Sequence, residues 1–177
     1  MTSAPKSNDI ARPDNEDAAG QYLTFMLAGE EYGLEILRVQ EIKGWDKTTA
    51  IPNTPDYVLG VLNLRGAVVP IIDLRKRFDL PETAYGTTTV VIVVRMQHED
   101  QERTVGLVVD AVAEVYRLDT NSIQPPPEMG LTAHTEFVAG LATVDEKMVI
   151  LLAVDKLIDF TEMTPKESVE KDLAATG

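Results

Sequence analysis

The chain has 177 residues, enough to bury a sizeable core, and a formal net charge of -13, so most of it would repel a nucleic-acid backbone or an anionic lipid surface. It contains no cysteine, which removes disulfides, thiolate metal sites and cysteine nucleophiles together. No apolar run approaches the roughly 18 residues of a membrane-spanning helix, and the opening residues lack a signal-peptide core, so a soluble, cytoplasmic protein is expected.

Residues 1–20 hold Ile10 among Asp, Asn, Ala, Pro and Ser and are expected to be a disordered tail. Residues 21–27 read as a strand, 28–31 as a tight turn and 32–36 as the returning strand. Thr54-Pro55 has the form of an N-cap followed by proline at the first helical position, which predicts one helical turn over residues 56–59, stopped by Gly60. A hairpin follows with Arg65-Gly66 at its tip, where glycine supplies the positive φ such turns need. Pro70 demands an edge or a bulge. Asp73 predicts the cap of a short helix over residues 74–78, and Val154-Asp155 plays the same part before residues 156–160. Between these lie a β-branched run (87–96), a polar loop (98–103), one or two strands (104–116) and a proline-stiffened connector (124–128); residues 164–177 read as a C-terminal tail.

Two stretches of the chain occur twice. Residues 60–72 align with 140–152 at a constant offset of 80, and 32–42 align with 105–115 at an offset of 73. Such repetition predicts an all-β body of two five-stranded barrels with short connecting helices. The expected subdomains are about 21–86 and 87–160, with some strand exchange between them.

A catalytic inventory is hard to assemble. His98 and His134 sit outside any ligand spacing, the serines lack a nucleophile elbow, and no phosphate-binding glycine string is present. Asp73, Asp110 and Asp155 follow strands, where capping or turn formation accounts for them; the competing reading is a ligand-binding or enzymatic barrel that gathers them around a pocket or metal. Recognition has better candidates. Arg65, fixed at a tight turn between apolar strands, is either a solubilising charge or a directed guanidinium suited to a partner's carboxylate. In extended backbone Val39 and Glu41 share one side, giving either an apolar patch with an acid or a core residue beside a rim charge. Met129 is a flexible apolar side chain in a polar loop and a candidate interface anchor. Trp45 is read as covering the core.

Residues 31–42 (EYGLEILRVQEI), 51–55 (IPNTP), Gly60, 63–66 (NLRG), 70–75 (PIIDLR), 89–94, 105–110 and 123–125 occur in the order of the CheW family of bacterial chemotaxis coupling proteins, which the chain resembles from about residue 21 to 163. The resemblance implies two intertwined SH3-like barrels around a shared core, no enzymatic activity and no cofactor. The implied partners are the cytoplasmic hairpin tip of methyl-accepting chemoreceptors, the regulatory domain of the histidine kinase CheA, and other CheW copies in rings, at membrane-associated receptor arrays. By position it assigns Val39, Glu41 and Arg65 to receptor binding, with Glu41 and Arg65 able to pair, and Gly60, Gly66 and Gly106 to a receptor- or kinase-binding surface. With no receiver domain following and a Met1 start, a standalone adaptor is expected rather than a receiver fusion or a kinase fragment.

Overall fold

The computed structural model describes residues 20–126 and 135–158. It contains ten strands: β1 (Gln21–Leu27), β2 (Glu30–Glu35), β3 (Val39–Gly44), β4 (Val58–Leu64), β5 (Ala67–Asp73), β6 (Val90–His98), β7 (Gln101–Val109), β8 (Ala111–Arg117), β9 (Val138–Val144) and β10 (Lys147–Leu152). One short helix, α1 (Leu74–Arg77), and several 3-10 turns, among them Ile36–Arg38 and Val154–Lys156, link them.

The strands form two curled five-stranded sheets, β3-β6-β7-β5-β4 and β8-β1-β2-β10-β9, and each makes an SH3-like barrel. The duplication is present in three dimensions. Hairpin β4–β5 corresponds to β9–β10, and each sheet has one parallel junction at equivalent residues: Ile71 beside Gly106, and Leu151 beside Gly33. A side chain at Gly106 would meet Ile71 and Val91 at 2.7 Å, so the parallel strands close only because the residue has none.

Sheet membership does not split at residue 86. One barrel is the continuous segment β3 to β7; the other takes β1 and β2 from before it and β8, β9 and β10 from after it. The chain crosses between them at Ile36–Arg38 and again at Asp110, because each parallel junction recruits its partner strand from a distant part of the sequence.

This arrangement explains the long apolar run of β6. Ile92, Val94 and Met96 enter a core shared by the two barrels with Leu23, Phe25, Leu34 and Leu107, while Val91 and Val93 fill their own barrel beside Val69, Ile71 and Val108. A strand buried on both faces cannot alternate with polar residues. The other barrel has its own smaller filling of Leu118, Ala142, Val149 and Leu151. Arg77 adds a clamp between the barrels: its guanidinium lies 4.5 Å from the Tyr57 ring centroid and 4.6 Å from that of Phe137, and its Nε donates to the Leu157 carbonyl.

Three local expectations are corrected. No helix forms over residues 56–59. The Thr54 hydroxyl donates backward to the Ile51 carbonyl instead of accepting from a helix N–H, one turn closes through Val58 N–H to Pro55, and β4 then takes the chain. Pro70 lies in β5, an interior strand, but the parallel ladder to β7 is registered only from Ile71, so it interrupts nothing on that side. Asp155 lies inside the Val154–Lys156 turn, whose cap position is Ala153, and its carboxylate is committed elsewhere. Asp73, by contrast, caps α1 as expected, accepting from the N–H groups of Arg75 and Lys76.

Candidate functional site

The tip of hairpin β4–β5 is a two-residue turn with positive φ at both positions, 54° at Arg65 and 90° at Gly66. Asn63 secures it by accepting the Gly66 N–H at 2.9 Å. A left-handed conformation at arginine is uncommon, and it sends the side chain outward at a fixed angle. The guanidinium then lies across Glu41, with Nη1 2.6 Å from Oε2 and Nη2 3.4 Å from Oε1. Arg65 remains 74% exposed while Glu41 is 20% exposed, so the acid anchors and the cation is displayed. Val68, on the same hairpin, is an exposed apolar residue at 67%.

Glu41 reaches this position through a β-bulge. Val39 pairs with Val94 and Glu41 with the adjacent Val93, which leaves Gln40 as the extra residue on β3. The bulge breaks the alternation, so Val39 and Glu41 do not share a side. Val39 points into the shared core at 1% exposure, while Glu41 comes out beside Arg65. The expected apolar patch with an acid is therefore corrected: Val39 belongs to the core and Glu41 alone reaches the surface.

The glycines divide similarly. Gly66 is open to solvent at the tip, but Gly60 and Gly106 are buried and structural. At Gly60, with φ 144°, a Cβ would lie 2.2 Å from the Thr49 carbonyl oxygen, because Thr49 and Val61 form a β-bridge across that point. Met129 and His134 lie outside the described residues. Trp45 packs over the β4–β5 barrel's filling and against the Tyr85 ring, 4.4 Å between centroids.

The three candidate acids are each engaged. Asp73 caps α1 and accepts the Tyr85 hydroxyl at 2.6 Å; burial, then this contact with Asp73, pushes the phenol pKa up. Asp110 receives Arg75 Nε and Nη2 at 2.9 and 2.6 Å and the Ala28 N–H at 2.9 Å; Arg75 first, and Ala28 after it, hold the carboxyl below its ordinary value despite partial burial. Asp155 receives both terminal nitrogens of Arg38, at 2.7 and 2.8 Å, and the Gln97 N–H at 2.8 Å; burial pushes its carboxyl up, and these donors outweigh it. Among the described residues no group of three His, Asp or Glu is placed to hold a metal ion. The sequence reading missed that these last two ion pairs lock the two crossings between barrels, Arg38 at one and Asp110 at the other. The 80-residue offset held the signal, since Arg75 and Asp155 are equivalent positions with opposite charge.

The described residues thus form two fused barrels, one of which carries an exposed cation and an exposed apolar residue on its β4–β5 hairpin. Comparison with known proteins places the chain further. Residues 21–162 match the CheW-like domain, and the chain belongs to that family. It is 43% identical to chemotaxis protein CheW of Klebsiella aerogenes over 162 residues, covering 92% of this chain and 95% of that one. It is 36% identical to a probable chemotaxis protein CheW of Rhizobium etli, covering 80% and 89%. The crystal structure of the scaffolding protein TtCheW from Thermoanaerobacter tengcongensis superposes with a TM-score of 0.72 at 39% identity, covering 79% and 88%.

Proposed function

We propose that this protein is a noncatalytic adaptor that couples methyl-accepting chemoreceptors to the histidine kinase CheA in chemotaxis. The observation that carries this reading is the Glu41–Arg65 pair: a solvent-facing guanidinium held on a left-handed turn, on a hairpin that also exposes Val68. That combination suits the acidic and apolar face of a helical receptor hairpin. Val39 serves the same surface from beneath, by anchoring β3, and Gly66 by letting the tip turn. Gly60 and Gly106 set the shape of the barrel that presents it. The regulatory domain of the kinase is taken to pair with barrel ends, and further copies of the chain to do so in rings. No helix among the described residues is long and apolar enough to cross a membrane, so attachment to an array would come through the partners.

The reading is tested by reconstitution. Mixed with receptor signalling domains and CheA, the protein should raise kinase autophosphorylation; no stimulation in well-formed arrays sinks the proposal. Arg65→Glu should weaken receptor binding and kinase stimulation strongly while lowering unfolding stability by only about 1 kcal/mol, from the lost pair with Glu41 and the like charge set against it.

A further inference from the structure

Both members of the tip pair are joined by short stretches of strand to the places where the barrels meet. Glu41 lies on β3, separated from Arg38 only by Val39 and Gln40. Arg65 opens the turn into β5, and β5 runs straight into Asp73, the cap of α1, and so to Arg75. Arg38 and Arg75 are the arginines that carry the two ion pairs at the crossings.

Those two contacts are built alike. Asp155 receives both terminal nitrogens of Arg38 and the Gln97 N–H, which ties the end of β10 to the start of β3 and to β6. Asp110, between β7 and β8, receives Nε and Nη2 of Arg75 and the Ala28 N–H, which ties α1 to the β1–β2 turn. Each guanidinium is fixed from behind as well: Arg38 Nη1 donates to the Arg95 carbonyl, and Arg75 Nη1 to the Pro81 carbonyl at 2.6 Å. Their side chains are 28% and 16% exposed, so neither swings freely. The signs are also arranged. Both arginines stand on the β4–β5 side, so two like barrels set face to face would oppose cation to cation or acid to acid, and only the unlike pair closes. The shared core contributes attraction without direction, whereas a two-point fork joined by a backbone N–H fixes an angle.

We propose that Arg38, Arg75, Asp110 and Asp155 are positioning residues of the adaptor: they fix the angle between the Arg65 tip and the β9–β10 barrel, and a chain lacking one of these contacts grips the receptor normally but stimulates the kinase poorly. Resting on the coupling role, this gives them no contact with a partner; they act through β3 and β5, which bear Glu41 and the tip.

Because the chain has no cysteine, the angle can be read directly in the full-length protein. Spin labels at Ala67→Cys and Thr143→Cys, both exposed positions, report the distance from the tip hairpin to β9 by pulsed electron paramagnetic resonance. Asp155→Asn should broaden the distance distribution, and Asp155→Glu, which keeps the charge, should narrow it again. Without labels, Asp155→Asn should bind receptor signalling domains with unchanged affinity yet lower CheA stimulation about fivefold, the size of effect seen when coupling is altered away from either binding site. Asp155→Glu should recover the stimulation, and Arg38→Gln, which breaks the same contact from its other side, should reproduce both losses. An unchanged distance distribution, or stimulation that falls only in step with receptor affinity, would overturn the proposal. If even the unaltered chain fails to stimulate CheA, the coupling role itself fails, which separates that outcome from a failure of the positioning residues alone.

Discussion

Hairpins β4–β5 and β9–β10 are two copies of one design, and their agreement stops at the tip. Inward positions match: Val69 and Ile71 in one barrel, Val149 and Leu151 in the other. So does an exposed apolar residue, Val68 against Met148. The tips diverge completely, Arg65-Gly66 against Asp145-Glu146, though both turns have positive φ at both residues. Backbone geometry and barrel filling are what the fold demands of a hairpin; tip charge is left free, and that freedom lets two like barrels present unlike faces.

The largest break in that symmetry should come at the base of the hairpins. Gly60 and its equivalent Gly140 both lie against a β-bridge, Thr49 with Val61 and Gln124 with Leu141. Alanine at 60 collides with a backbone oxygen at 2.2 Å and inherits a φ of 144°, whereas at 140 the nearest atom is an Ile123 side-chain methyl at 2.6 Å. Gly60→Ala should cost about 3 kcal/mol and Gly140→Ala nearer 1 kcal/mol in chemical denaturation. Equal losses would mean that the side-chain and backbone obstacles are equivalent.

An intermediate effect is expected at the crossings, where the charges are exchanged between copies. The Asp110 carboxyl is held below its ordinary value of 3.8, so its contribution is fully present above that pH and fades as pH falls through the lower, folded-state value. Asp110→Asn should therefore cost about 1.5 kcal/mol at pH 7, from the lost donors Arg75 and Ala28, and the gap to the unaltered protein should close as pH falls below 3.8. A gap independent of pH would assign the loss to packing.

The smallest effect belongs to the tips. Glu146→Gly gives an Asp-Gly turn and should raise stability by about 0.5–1 kcal/mol, while Gly66→Glu should lower it by a similar amount. Thermal unfolding of the two single variants reads both, and opposite signs are required.

Much of this architecture is legible before any coordinates exist. The constant offsets find the paired hairpins because hydrophobic filling and turn chemistry repeat together, and Asp73 announces its helix through cap chemistry alone. What stays hidden depends on register. The bulge at Gln40 turns Val39 inward and Glu41 outward, and spacing in the sequence carries no mark of an extra residue. Thr54-Pro55 satisfies the local rule for a helix start, yet pairing of β4 with β5 claims the residues that would continue it. Asp155 looks like a cap until Arg38, far away in sequence, is seen to occupy its carboxylate. The Glu41–Arg65 contact was foreseeable only from the family likeness.

The order in which strands are joined has a consequence for how the molecule is made. Every strand of the β4–β5 barrel has been synthesised once residue 109 is translated, whereas Gly33 must wait more than a hundred residues for Leu151. At about 5–20 residues per second the nascent β1–β2 hairpin spends seconds with an open margin, and one barrel stands finished before its twin can close.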